Sequence, residues 1–343
     1  MRRALACPDK FRGTLTASEA ADAMAAGLSR AGFDEVRRLP LADGGEGTLD
    51  ALLAARGGGL RTAPVTGPLG DSVDAAWAVL PDGTAVVEMA RASGLQLVAG
   101  RNDPLRAGTR GTGELIAAAA RAGARRIIVG VGGSATTDGG LAAVQALGWS
   151  LGGLDVTVAC DVTTPFLRAA EVYGPQKGAT SAQVSLLTRR LHRLAEEYER
   201  RTGVDVTELP GAGAAGGLAG GLAALGATLE PGFEVIAQAA GLEDALDGVD
   251  LVVTGEGRLD RPSFEGKVVG GVLDWAADEG IAHRAVIAGQ VSDEGREELS
   301  VRGDVHLLAL TDRVWQAGEA FSRAALLVEE AAVDAGRHAL TDF

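Results

Sequence analysis

The stretch Ile127–Gly140, IIVGVGGSATTDGG, decides the fold. A β-branched apolar run opens into glycines and hydroxyls, ends in an aspartate and leads into the apolar pattern LAAVQALGW. That order predicts a strand, an anion-binding loop and a helix. Gly132 and Gly133 let backbone N–H groups approach an oxyanion closely, and Ser134, Thr136 and Thr137 add hydroxyl donors. Asp138 adds a charge for a metal or a substrate hydroxyl.

Outward from this stretch, three other segments share its build: Pro8–Thr14 (PDKFRGT), Ala42–Thr48 (ADGGEGT) and Thr254–Asp260 (TGEGRLD). Each sets an acid beside glycine, on or near a short apolar run. Several such turns in one chain point to a site that holds phosphate and Mg²⁺ together.

Strand and helix patterns alternate over 3–65, give way to a hairpin pattern around the turn Pro81-Asp82-Gly83, and alternate again toward the end. This predicts an α/β protein: a Rossmann-like, doubly wound domain made from both chain ends, 1–65 and 245–343, with a mixed α/β domain over 66–244 inserted between them. Ligands are expected in the cleft between the two. A length of 343 residues agrees with two domains. The uncharged segment 211–229 is rich in glycine and alanine, which favours a buried helix of a soluble protein over a membrane span.

A net charge of −14 supplies no broad basic field for nucleic acid or an anionic membrane surface, so neither is expected as a partner. Phosphate and carboxylate must then be met by local cations, which draws attention to Lys10, Arg12, Lys177 and Lys267. The two cysteines, Cys7 and Cys160, form no CxxC pair and read as buried strand residues of a cytoplasmic protein. The four histidines lie in none of the motifs.

The four Gly-rich segments, together with VACDV (Val158–Val162), GPQKGAT (Gly174–Thr180) and GAGAAGGL (Gly211–Leu218), occur in an order that resembles the bacterial glycerate kinases, from about residue 4 to the last helix. The resemblance implies a two-domain α/β enzyme that uses ATP and Mg²⁺ to phosphorylate glycerate, with D-glycerate and its 2-hydroxyl as the expected acceptor. Two departures stand out. Arg12 replaces a lysine, keeping the charge with a different donor geometry, and the segment between Leu147 and Cys160 is shorter.

Phosphoryl transfer asks for positioning, charge neutralisation and a group that orients or deprotonates the hydroxyl. No Walker A motif is present. Asp161 closes the apolar run VTVAC, where ligands gather in α/β sheets, and is the first candidate for the base, with Asp138 second. Both also have local readings, Asp161 opening a turn and Asp138 lying in a loop whose Ser and Thr cap the following helix. Lys177 is a candidate phosphate clamp or a solvated loop lysine. Lys10 and Arg12, Asp43 with Gly44 and Gly45, Gly213 and Gly255 are candidate contacts to phosphate or substrate. Glu46, Glu256 and Asp260 are candidate metal ligands, although Asp43 also fits an N-cap and Glu256 an ion pair with Arg258. GAGAAG formally matches the dinucleotide fingerprint but lacks its strand context, which leaves an NAD enzyme as a remote reading. A kinase for another hydroxy acid or for the 3-hydroxyl of glycerate, and a non-catalytic binder on the same scaffold, are the closer alternatives.

Overall fold

In the computed structural model, which describes residues 1–314 and 317–341, the chain divides into two compact units. The first comprises Met1–Asp43, Asp50–Arg56 and the described residues of Ile236–Phe343. Its sheet contains β1 (Arg3–Ala6), β2 (Glu35–Arg38), β9 (Leu251–Leu259), β10 (His283–Val291) and β11 (His306–Ala309), all parallel, in the order β11-β10-β9-β1-β2. Counted within the unit this is the 2-1-3-4-5 order of a doubly wound sheet, with its topological switch point between β1 and β9.

Both faces of this sheet are covered, so Ala4–Ala6, Leu251–Val253 and Ala285–Ala288 are apolar runs without alternation, while the edge strand β2 (EVRR) is charged. One face carries the helices Ala17–Ala31 and Ala324–Thr341, whose buried residues join those of β1, β9 and β10 in one core. The first of these helices starts at a Thr16/Glu19 capping box and stops at the left-handed Gly32. Gly27 lets the two helices touch backbone to side chain: a Cβ there would lie 2.2 Å from the Glu329 carbonyl oxygen. The helix Val268–Asp278 covers the other face through Val269 and Leu273.

The second unit comprises Gly44–Leu49 and Gly57–Val235. Its mixed sheet runs in the order β3 (Gly59–Thr66), β4 (Ser72–Val79), β5 (Ala85–Glu88), β6 (Arg126–Gly130), β7 (Asp155–Cys160), β8 (Thr228–Pro231), antiparallel up to β5 and parallel from there on. The α/β class and the use of both chain ends in one doubly wound sheet follow the sequence reading. Strand β3, which the sequence grouped with the terminal elements, pairs instead with β4. The connection 67–71 closes with hydrogen bonds from Gly67 N to the Asp71 oxygen and from Gly70 N to the Gly67 oxygen, too short for a parallel crossover.

Two further corrections concern glycine. The segment TGEGRL continues strand β9 instead of leaving it as a loop, with Glu256 opposite Ala288 and Arg258 opposite Gln290. The apolar segment at 211–229 is not one helix: left-handed Ala215, Gly216 and Gly217 interrupt Ala214–Ala224, and β8 follows. Gly216 is needed there because a Cβ would meet the Thr136 carbonyl oxygen at 2.0 Å. Cys7 and Cys160 are both buried and free. Among the described residues, no helix is long and apolar enough to cross a membrane.

Candidate active site

At the switch point of the first unit, three carboxylates and a lysine come together. Asp9 follows β1, Asp43 lies beyond β2, and Glu256 sits within β9. The Asp9 amide donates to the Gly255 carbonyl and the Leu41 amide to the Pro8 carbonyl, both bonds fixing these chain segments to one another. Lys267 Nζ lies 3.5 Å from Asp43 Oδ2, and Asp43 is only 9% exposed.

The charges in this cluster are imperfectly balanced. Burial raises the Asp9 pKa and the negative charge of Asp43 raises it further, against the opposing pull of Lys10 and Lys267. Burial pushes Glu256 up to about 7, helped by Asp9 and Asp260, although a hydrogen bond from Ser263 opposes the shift. Glu256 Oε1 is buried with no hydrogen-bond partner, an arrangement that calls for an absent donor or cation. Asp260 is engaged locally: Ser263 Oγ donates to its Oδ1 at 3.3 Å, and Arg258 lies 3.7 Å from its Oδ2.

In the second unit the loops after β5, β6 and β7 leave the same end of the sheet. Asp138, expected as a second-choice base, is saturated. Its Oδ2 accepts from the Thr109 amide at 3.0 Å, the Thr109 hydroxyl at 2.8 Å and the Ala142 amide at 3.3 Å, and its Oδ1 accepts from the Gly140 amide at 3.2 Å. They tie the first turn of the helix Leu141–Ala146, through Ala142, to Thr109. Burial still raises the Asp138 pKa, against the lowering effect of those donors.

Lys177 is no solvated lysine: it is 5% exposed and its Nζ donates to the Thr136 carbonyl at 2.6 Å. Burial lowers its pKa to about 7, with Asp138 pulling the other way. In this position it holds the loop together and does not reach outward as a phosphate clamp. Thr136 and Thr137 are likewise buried, which leaves Gly132, Gly133 and Ser134 as the part of the loop open to a ligand. Asp161, at the end of β7, is partly exposed, and its charge contributes to raising the pKa of Cys160 and Tyr173.

Several candidate glycines turn out to be packing positions. A Cβ on Gly213 would lie 2.5 Å from the Pro165 oxygen, and its amide donates to Thr164. A Cβ on Gly255 would lie 2.0 Å from the Ile287 oxygen of the adjacent strand. Gly44 is buried against Ala159, whereas Gly45 and the exposed Glu46 remain at the surface. Lys10 is partly exposed and Arg12 exposed. Among the described residues, no three His, Cys, Asp or Glu side chains are arranged to hold a metal ion, so Glu46, Glu256 and Asp260 do not form a ready-made triad.

The sequence reading missed Asp9 and Glu88 as site residues, and it singled out Lys267 as a local cation without its partner Asp43. Glu88, 2% exposed at the end of β5, accepts from the amides of Gly47 at 3.1 Å and Leu49 at 2.7 Å and from Arg91 Nε at 2.8 Å. The start of the helix Thr48–Arg56, expected to receive an anion from solution, is therefore already occupied by a carboxylate of the same unit. Asp9 was visible as the acid in PDK; Glu88 had no local signal, because its amide partners lie 41 and 39 residues away.

Comparison with known proteins places these observations. A family model described as the glycerate kinase family matches residues 4–153 and 150–339. The two matched stretches meet at the connection that the sequence reading found shortened. The chain is 44% identical over 327 residues to the glycerate 2-kinase of Escherichia coli (strain K12), covering 84% of this chain and 85% of that protein. It is 39% identical over 365 residues to the glycerate kinase of Bacillus subtilis (strain 168), covering 95% of each. A crystal structure from Salmonella typhimurium LT2, named as a glycerate kinase 2, superposes with a TM-score of 0.84 at 35% identity and 99% coverage of both chains.

Proposed function

The chain belongs to the glycerate kinase family and is an enzyme, a kinase, and we propose that it transfers the γ-phosphoryl group of ATP to the 2-hydroxyl of D-glycerate with the help of Mg²⁺. The observation that carries this reading is the cluster of Asp9, Asp43, Glu256 and Lys267 at the switch point of the parallel sheet, the position where such sheets bind ligands. Its donors are hard oxygens beside the ammonium groups of Lys267 and Lys10. An unpartnered Glu256 oxygen and two carboxylates with raised pKa values suit an added cation.

That set fits Mg²⁺, which is commonly held by one or two carboxylates together with substrate phosphates and needs no complete protein cage. Asp9 and Glu256 would hold it, with Asp43 nearby; Asp260 is spent on Ser263 and Arg258. Bound Mg²⁺ supplies charge neutralisation on the transferring phosphoryl group. Lys267 adds a fixed positive charge in the same cluster, and Lys10 a second one.

In the second unit, Gly132, Gly133 and Ser134 present amides and a hydroxyl suited to a carboxylate or phosphate oxygen. Asp161 is the better base, since it stands partly exposed at a strand end while Asp138 already accepts four hydrogen bonds. As the base, Asp161 would take the proton from the attacking hydroxyl. Lys177, Asp138 and Glu88 position the loops without touching the reacting atoms.

An ADP-release assay with ATP, Mg²⁺ and a panel of small hydroxy acids tests the reading. D-Glycerate is expected to give the highest kcat/KM. A stronger response to another hydroxy acid would move the assignment to that substrate, and stabilisation by ATP without any ADP would make the protein a binder.

A further inference from the structure

The second unit holds a cavity of about 500 Å³ whose walls come largely from the helix Ser181–Thr202, an element that carries none of the candidate reacting groups. Cavities of this size commonly hold small molecules. Leu141, Leu191 and Trp149 line it with apolar surface, and Thr137 and Asp138 belong to its lining from the side of the loop.

Its charged groups are mostly cationic, three arginines against the carboxylates of Asp138 and Glu197. Arg190, Arg193 and Arg201 lie on its lining along the same helix. Arg190 Nη1 donates to the Leu105 carbonyl at 3.0 Å, and Arg201 stacks 4.1 Å above Trp149 while pairing with Glu197. Arg193 is exposed and has no ion-pair or hydrogen-bond partner among the described residues. Thr137, 1% exposed, has a hydroxyl with no partner either, which is a buried donor waiting for an acceptor. The carboxylates of Asp138, held by four neutral donors, and of Glu197, paired with Arg201, are outnumbered on the lining by the three arginines.

We propose that this cavity is a binding site for an organic anion with a flat apolar body, its ring against Trp149 and the leucines and its negative group against Arg193. The ligand would touch Thr137 and Asp138, and through them the loop that Lys177 holds. The inference does not rest on the phosphoryl-transfer reading, because its test reads binding and not turnover.

The test is a fluorescence titration of the full chain with anilinonaphthalene sulfonate, a flat aromatic anion, alongside the variants Arg193→Glu, Gln145→Glu and Arg193→Lys. Arg193 and Gln145 both line the cavity and are exposed, so folding is expected to survive. Saturable one-to-one binding is expected, weakened roughly thirty-fold by Arg193→Glu, as Coulomb's law gives for a charge reversal at about 4 Å in water. Gln145→Glu should weaken it less, Arg193→Lys should restore it, and added salt should weaken it throughout. Displacement of the dye by ATP would identify a nucleotide as the occupant, and displacement by benzoate alone an aromatic acid. Absence of saturable binding, or a Kd indifferent to Arg193→Glu and to salt, would overturn the proposal.

Discussion

Glu256 and Asp138 both belong to a Gly-rich segment on a β-branched strand run, and burial raises the pKa of each, yet their surroundings differ. Asp138 accepts four hydrogen bonds from its own unit, while one oxygen of Glu256 accepts none and two neighbouring carboxylates, Asp9 and Asp260, repel its charge. Glu88 repeats the first pattern, closed over two backbone amides and a guanidinium. An acid beside glycines can therefore hold a loop in shape or remain short of positive charge, and the partner count separates the two.

The largest effect expected from this contrast is on turnover. Glu256→Gln should lower kcat by about 10²–10³-fold, the range typical of removing one electrostatic group from a transition state. Stability should stay within about 1 kcal/mol of the parent, because the change also removes repulsion. Steady-state kinetics with parallel urea unfolding checks both halves. A normal kcat would erase the distinction between the two strand ends.

Asp138→Asn should do the reverse in stability. Its amide would face N–H donors that now bind a carboxylate, with an expected loss of about 2–3 kcal/mol, in line with hydrogen bonds to a charged group. A variant as stable as the parent in urea would show that the carboxylate is not structural.

A pH series sharpens the same point at Lys177. Burial holds its folded pKa near 7 against an ordinary 10.5. Between those values the folded chain binds fewer protons than the unfolded one, so this group makes stability rise with pH, by up to about 1.4 kcal/mol per pH unit. Below about 7 its destabilising contribution is at its full size. Lys177→Met should flatten that slope in urea unfolding across the alkaline range, and an unchanged slope would place the titration elsewhere. The smallest effect belongs to Arg12→Lys: the side chain is exposed, and kcat/KM should change by less than about two-fold.

Much of this was legible in the sequence and some was not, for identifiable reasons. The parallel strands β6, β7, β9 and β10 announce themselves as apolar β-branched runs, and the ordered Gly-rich segments give the family. Glycine misled where its reason is tertiary. In TGEGRL it reads as a turn, but Gly255 is there because β10 leaves no room for a Cβ, and the strand runs on. The run GAGAAGG reads as continuous helix, but it turns left-handed at Ala215–Gly217, and Gly216 is there because the Thr136 carbonyl leaves no room for a Cβ. Charge partners were hidden in the same way: nothing local ties Lys267 to Asp43 or Glu88 to Gly47.

The most direct test of the central claim is to identify the product formed from D-glycerate, ATP and Mg²⁺ by phosphorus NMR. The account predicts 2-phosphoglycerate as the product, absent when glycerate is omitted. A 3-phosphoglycerate signal, or no phosphorylated glycerate from a folded protein, would contradict it.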